Sequence, residues 1–134
     1  MKNLWLCITP LLIFIPILII ICILSIKFKV GARIATILIC VIGCVSLIYF
    51  MYPYFKDIKN KETFQIEGVL SYEIQNGSGC LPLTSLLCFE YDNNEEYVYV
   101  SKFMYSSYNL KKGSKYRVIY YKNSHAVNSI ELIE

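Results

Sequence analysis

Two uninterrupted apolar runs dominate the first half of this chain. Twenty-four residues without a charge separate Lys2 from Lys27, and another 22 separate Arg33 from Lys56. As helices these runs would be about 33 to 36 Å long, at about 1.5 Å per residue, enough to cross the hydrocarbon of a bilayer. Backbone amides in hydrocarbon must find partners within their own segment, so two such runs joined by the short stretch Lys27 to Ala32 predict an antiparallel helical hairpin. A cleaved signal peptide followed by one anchor is the competing reading. It requires small residues at a cleavage site, whereas the first run ends Ile23-Leu24-Ser25-Ile26.

Charge divides the chain at the same place. Residues 1–55 carry four basic and no acidic side chains, and residues 56–134 carry nine basic and ten acidic ones. The formal charge of +3 is therefore +4 from the apolar part and −1 from the remainder. An acidic remainder lacks the electrostatic footprint of a nucleic-acid-binding domain, so no nucleic acid is expected as a partner. The expected division is a two-helix transmembrane hairpin over residues 1–55, with spans of about 4–26 and 34–55, and a small β-barrel extramembrane domain over 56–134.

Within the hairpin, Pro10 and Pro16 each remove a backbone donor, so the first helix is expected to kink or to start late, near Leu11. Thr36, Cys40 and Cys44 recur at every fourth position with Gly43 beside them, a stripe of small side chains against which another helix can pack closely. Trp5 opens the first span and Tyr49, Tyr52 and Tyr54 close the second, which predicts an interfacial aromatic belt on one membrane face. Across the first span the basic residues favour a cytoplasmic connection, placing both termini and the β domain outside. Across the second span they balance, and the total for each face leans the other way. Val41-Ile42-Gly43-Cys44 has the form of a lipobox, but the apolar continuation through Phe55 favours packing over lipidation.

Beyond Lys56 the periodicity becomes two. Phe64, Ile66, Gly68, Leu70, Tyr72 and Ile74 alternate with mostly polar residues, a long first strand in which Gly68 suggests a bend or bulge. Leu86–Tyr91 and Tyr97–Phe103 flank the polar turn Asp92-Asn93-Asn94 and predict a hairpin. Met104–Leu110 is a connector with room for a helical turn, and Tyr116–Tyr121 with Val127–Ile133 form a second hairpin. Three strands, a connector and two strands match an OB-like five-stranded barrel, with a plain antiparallel sandwich as the alternative.

The ending Leu110-x-x-Gly113-x-x-Tyr116-x-Val118-x-Tyr120-Tyr121-x-x-Ser124, with Ser129-Ile130-Glu131, resembles that of small OB-like β domains carried on short transmembrane hairpins by uncharacterised bacterial membrane proteins. The resemblance covers about residues 110–131. It implies a turn-strand-turn-strand ending in a bacterial envelope setting, and no catalytic residue.

Few residues in the β domain invite chemistry. Cys80 and Cys88 are compatible with a structural disulfide, with free thiols, or with a redox pair, although the C-x-x-C spacing of the last is absent. His125 is the only histidine; it lacks metal-ligand companions, and a triad with Ser124 and Glu131 would need adjacent side chains that point apart. No metal or cofactor is expected. Nine of the twelve tyrosines lie in this half. Tyr97, Tyr99, Tyr120 and Tyr121 are read as core and cross-strand packing, with an exposed face that binds a protein, peptide or glycan as the sharper alternative. The expected function is a non-enzymatic integral membrane protein, anchored in the lipid bilayer of a bacterial cytoplasmic membrane, that displays a small β domain as a protein- or ligand-binding module in an accessory or immunity-type role. Its protein partner and oligomeric state are not encoded in any motif. A membrane-anchored thiol-disulfide protein using Cys80 and Cys88 is the alternative, and an assembly protein working through the Thr36 stripe is a third reading.

Overall fold

A computed structural model describes residues 1–74 and 83–133. Helix α1 spans Lys2–Leu24 and continues into a short 3-10 turn, Ser25–Lys27; helix α2 spans Val30–Asn60. The two are long and apolar enough to cross a membrane. Most of their apolar side chains, among them Ile13, Ile20, Ile39, Ile42 and Ile48, point outward. Between the helices, Cys40 is buried, with its Sγ 3.8 Å from the Leu18 carbonyl oxygen. A Cβ added at Gly43 would meet Leu18 Cδ1 at 3.4 Å.

One helical expectation is corrected. Helix α1 does not start late: it runs from Lys2 through Pro10 and Pro16. Its first turns are held from outside, because Asn3, Leu4, Cys7 and Ile8 are buried against the rest of the chain, and packing of this kind outweighs the loss of single backbone bonds. Helix α2 continues past Phe55 to Asn60 and ends at Lys61 in the left-handed conformation, φ 57°, whose amide donates to the Asp57 carbonyl at 2.8 Å.

The second half is a five-stranded antiparallel sheet: β1 Thr63–Ile74, β2 Thr84–Tyr91, β3 Asn94–Ser101, β4 Lys115–Tyr121 and β5 Val127–Leu132, in the order β3-β2-β1-β4-β5. Central strand β1 changes partner along its length. Thr63 to Val69 pair with β4, Val69 to Ile74 pair with β2, and the register slips between Leu70 and Tyr72. The irregularity thus lies at Ser71 and not at Gly68. Gly68 answers a different need, since a Cβ there would lie 2.8 Å from the Glu90 carbonyl oxygen of β2. The outer strands β3 and β5 meet at a parallel bridge between Tyr99 and Ala126, where the Tyr99 amide donates to the His125 carbonyl at 2.9 Å.

The β2–β3 turn is tighter than expected. Asp92 and Asn93 both have positive φ, 44° and 63°, which is the two-residue hairpin turn that matches strand twist, so β3 begins at Asn94. It ends at Ser101 and not at Phe103, because Lys102–Tyr105 forms a helical turn, α3, followed by the 3-10 turn Ser106–Tyr108. Met104, Tyr105, Tyr108 and Leu110 pack on a core of Ile66, Leu70, Leu87, Phe89, Val98, Val100, Tyr116, Val118, Tyr120 and Val127.

Candidate functional site

The densest polar construction lies where the helix ends meet the sheet. Asp57, in the last turns of α2, is fully buried. Its Oδ1 accepts from the Asn123 amide at 3.2 Å and from Asn123 Nδ2 at 2.5 Å, and its Oδ2 accepts from the Ser124 amide at 2.7 Å. A buried carboxylate is tolerated when several donors satisfy it, and here the donors belong to the β4–β5 turn. Asn3, in the first turn of α1, does the same for the opposite edge. Its Nδ2 donates to the Val127 carbonyl at 2.8 Å and the Tyr99 carbonyl at 3.3 Å, while its Oδ1 accepts from the Ser101 amide at 2.8 Å. One carboxamide therefore joins α1 to both β3 and β5.

An apolar seam fills the space between these two polar contacts. Leu4, Cys7, Ile8, Leu11, Met51 and Tyr54 from the helices pack with Tyr121 and Ala126 from the sheet. The β domain and the hairpin thus share a packed seam. Beside the seam is a cavity of about 190 Å³ lined by Phe50, Pro53, Tyr54, Tyr99, Asn123, Ser124 and His125. His125 has φ 53°, stacks on Tyr120 with ring centroids 5.5 Å apart, and brings Nδ1 to 2.9 Å from Glu96 Oε1 on β3. The Ser124 hydroxyl accepts from the Ala126 amide at 3.3 Å. Its neighbour His125 is thus directed to Glu96 and not to Glu131, so the triad geometry considered above is not assembled.

The four tyrosines Tyr97, Tyr99, Tyr120 and Tyr121 do not share an exposed face. Tyr120 is 5% exposed and belongs to the sheet core, whereas Tyr121, 3% exposed, faces the opposite way into the helix seam. Adjacent strand residues point to opposite faces, and here both faces are covered. Burial, with the Glu96 carboxylate adding to it, pushes the Tyr120 phenol up to about 12. Tyr99 is half-buried and lines the junction cavity. Tyr97 is exposed; its hydroxyl donates to Glu95 Oε2 at 2.6 Å and accepts from the Tyr72 hydroxyl at 2.8 Å. Those hydrogen bonds, Glu95 first, raise its pKa.

Of the belt residues, Trp5, Tyr49 and Tyr52 are exposed, but Tyr54 is buried, because it falls on the face of α2 that carries Met51 and Asp57. In the small-residue stripe, Cys40 and Gly43 face α1 as described, Cys44 is half-buried, and Thr36 returns its hydroxyl to the Ala32 carbonyl at 2.9 Å. An apolar groove of about 400 Å³ runs beside Gly43, lined by Leu11, Phe14, Leu18, Ser46, Leu47 and Phe50. Cys88 is buried and is paired in register between Tyr72 and Tyr97. Cys80 lies outside the described residues, and with it the disulfide expectation.

At the far end of the β2–β3 hairpin a shallow depression of about 520 Å³ is lined by Val69, Glu90, Tyr91, Asp92, Asn93, Asn94 and Glu95. Among the described residues no cluster of His, Cys, Asp and Glu has the arrangement of a metal site. No protein-family model, curated protein or solved structure matches the chain.

Sequence reasoning missed Asn3, Asp57, Glu96 and Asn123. The first two left a signal. Asn3 is the only carboxamide in the first apolar run, and Asp57 the only acid in residues 1–61; a lone strong hydrogen-bonding group at the end of an apolar helix calls for a partner. Glu96 and Asn123 left none, since their roles depend on which strands become neighbours.

Proposed function

We propose that this protein is a non-enzymatic integral membrane protein whose helical hairpin crosses the bilayer and carries an OB-like β domain that works as a binding module. Membrane insertion is supported by the outward-facing apolar side chains along both helices, a surface far too extensive to be stable in water. The OB-like reading is supported by the handover of β1 between two partners, the parallel bridge joining β3 to β5, and the packing of α3 and its following turn on the core between them.

One observation carries the functional reading. The sheet is joined to both helix ends by buried hydrogen bonds at Asn3 and Asp57, so its β2–β3 tip lies at the far end of strands of eight residues, about 25 Å long at about 3.3 Å each. A rigid platform of this kind suits presentation of a surface to a partner. Glu90, Asp92 and Glu95 in the tip depression match a partner with a basic segment. Photo-crosslinking residues placed at Asn93 and at Tyr72 in the native membrane test this: adducts with one partner at both positions are expected. Adducts only from positions on the lipid-facing side of α2 would favour the assembly reading instead.

The thiol-disulfide reading rests on Cys80 and Cys88. Cys88 is fully buried, which disfavours attack by or on its sulfur. Replacing both cysteines by Ser is expected to leave function intact. We place the protein in a bacterial cytoplasmic membrane with its β domain outside. Labelling of an Asn93→Cys variant by an impermeant maleimide in intact cells tests that orientation, since labelling only after lysis would reverse it.

A further inference from the structure

We infer that the sheet is itself seated in the headgroup layer of the bilayer, on an apolar foot formed by Leu83 and Phe103 at the level of Trp5. The inference rests on the membrane-spanning reading of α1 and α2 and adds a second lipid contact to it.

Depth follows from helix length. A hydrocarbon layer of about 30 Å is matched by about 20 helical residues. Counted from the connection between the helices, the layer ends close to Trp5 on α1 and Phe50 on α2. Asn3 therefore lies at headgroup depth, and so does whatever it binds. Its Oδ1 accepts from the Ser101 amide at 2.8 Å, which brings the end of β3 to that level. Helix α3 starts at the next residue, and Phe103 on its outer side is 65% exposed. The Lys102 amide donates to the Leu83 carbonyl at 2.9 Å, setting Leu83, 45% exposed, alongside. Leu83 holds φ 62°, a left-handed conformation that Gly or Asn adopts at lower cost. Trp5, equally exposed, opens α1 at the same level.

Three large apolar side chains are thus exposed at the level where water gives way to lipid. The charges at the outer ends of the two helices suit the same partner. Lys2, Lys56, Lys59 and Lys61 are exposed and, among the described residues, form no ion pair, which fits anionic headgroups. The partner is therefore a lipid surface.

The only tryptophan of the chain can be moved to test this. In a Trp5→Phe background, full-length Phe103→Trp protein is reconstituted in phosphatidylglycerol–phosphatidylethanolamine vesicles containing lipid brominated near the top of the acyl chain. Blue-shifted emission that bromine quenches is expected, and Leu83→Trp should behave alike. Val69→Trp, at the opposite end of the sheet, should emit at longer wavelength and be quenched by acrylamide in the water. Water-like emission from both the Phe103→Trp and the Leu83→Trp proteins would overturn the seating. So would blue-shifted emission that bromine leaves unquenched, which would mean that protein covers the foot. An alkaline carbonate wash separates the two readings: release of the wild-type chain would sink the membrane-spanning reading itself, whereas retention with water-like tryptophan emission would sink only the seating.

Discussion

At the scale of single residues, a few buried polar groups make the contacts between helices and sheet that are most exposed to substitution. Asp57→Asn would keep the volume but turn an amide NH₂ toward one of the backbone donors of Asn123 or Ser124, losing charge-assisted bonds worth about 2 to 3 kcal/mol. Thermal unfolding followed by circular dichroism in micelles should show this as a lowered midpoint. Asn3→Ala should lower it comparably, because it strands the Ser101 amide. Ser101→Ala provides the contrast. The Ser101 hydroxyl is buried and among the described residues has no hydrogen-bond partner, so its removal is expected to be neutral or stabilising in the same assay.

Tyr120 gives a pH dependence with a definite sign. Its folded pKa, about 12, lies above the ordinary 10.0, so above pH 10 the unfolded chain releases a proton that the folded chain retains. Its contribution to stability is complete below pH 10 and is lost as pH rises toward 12. The difference in unfolding free energy between wild type and Tyr120→Phe should change across that window and stay flat at pH values well below it.

At the scale of elements, local rules predicted most segments and failed where another segment intervened. The period-two alternation of β1 and the polar turns between hairpins were legible because each strand has one face turned to the core. The start of α1 was not, since the two prolines argue locally for a late start while Leu4, Cys7 and Ile8 are held by Tyr54, Tyr121 and Ala126. Gly68 was noticed for its conformational freedom, yet what it provides is room. Gly68→Ala would press a methyl against the Glu90 carbonyl, and overpacking of this kind typically costs about 1 to 3 kcal/mol; denaturant titration should register it. Gly43 differs in degree, because its nearest neighbour is the flexible end of Leu18. Gly43→Ala should be tolerated and Gly43→Leu should loosen the helix pair, read as increased thiol reactivity of Cys40.

At the scale of the whole molecule, helices and sheet share one packed junction. A fragment beginning at residue 62 would expose Tyr121 and Ala126 and leave the Ser124, Asn123 and Ser101 amides without their carboxylate and carboxamide acceptors. Such a fragment is expected to unfold at lower temperature than the sheet of the full chain, or to aggregate; equal midpoints would show that the junction adds nothing.

The amino-acid sequence alone determined the two apolar helices, their short connection and the alternating strands. Those features follow from hydrophobic period and uncharged length, which are local properties of the chain. Only the tertiary structure decided that Tyr54, Tyr120 and Tyr121 face inward, that His125 meets Glu96, and that Asn3 and Asp57 lock the sheet to the helix ends. Each of these depends on contacts between residues distant in sequence, and in Asn3 and Asp57 a polar group is acceptable in the interior only because a particular strand end supplies its hydrogen bonds.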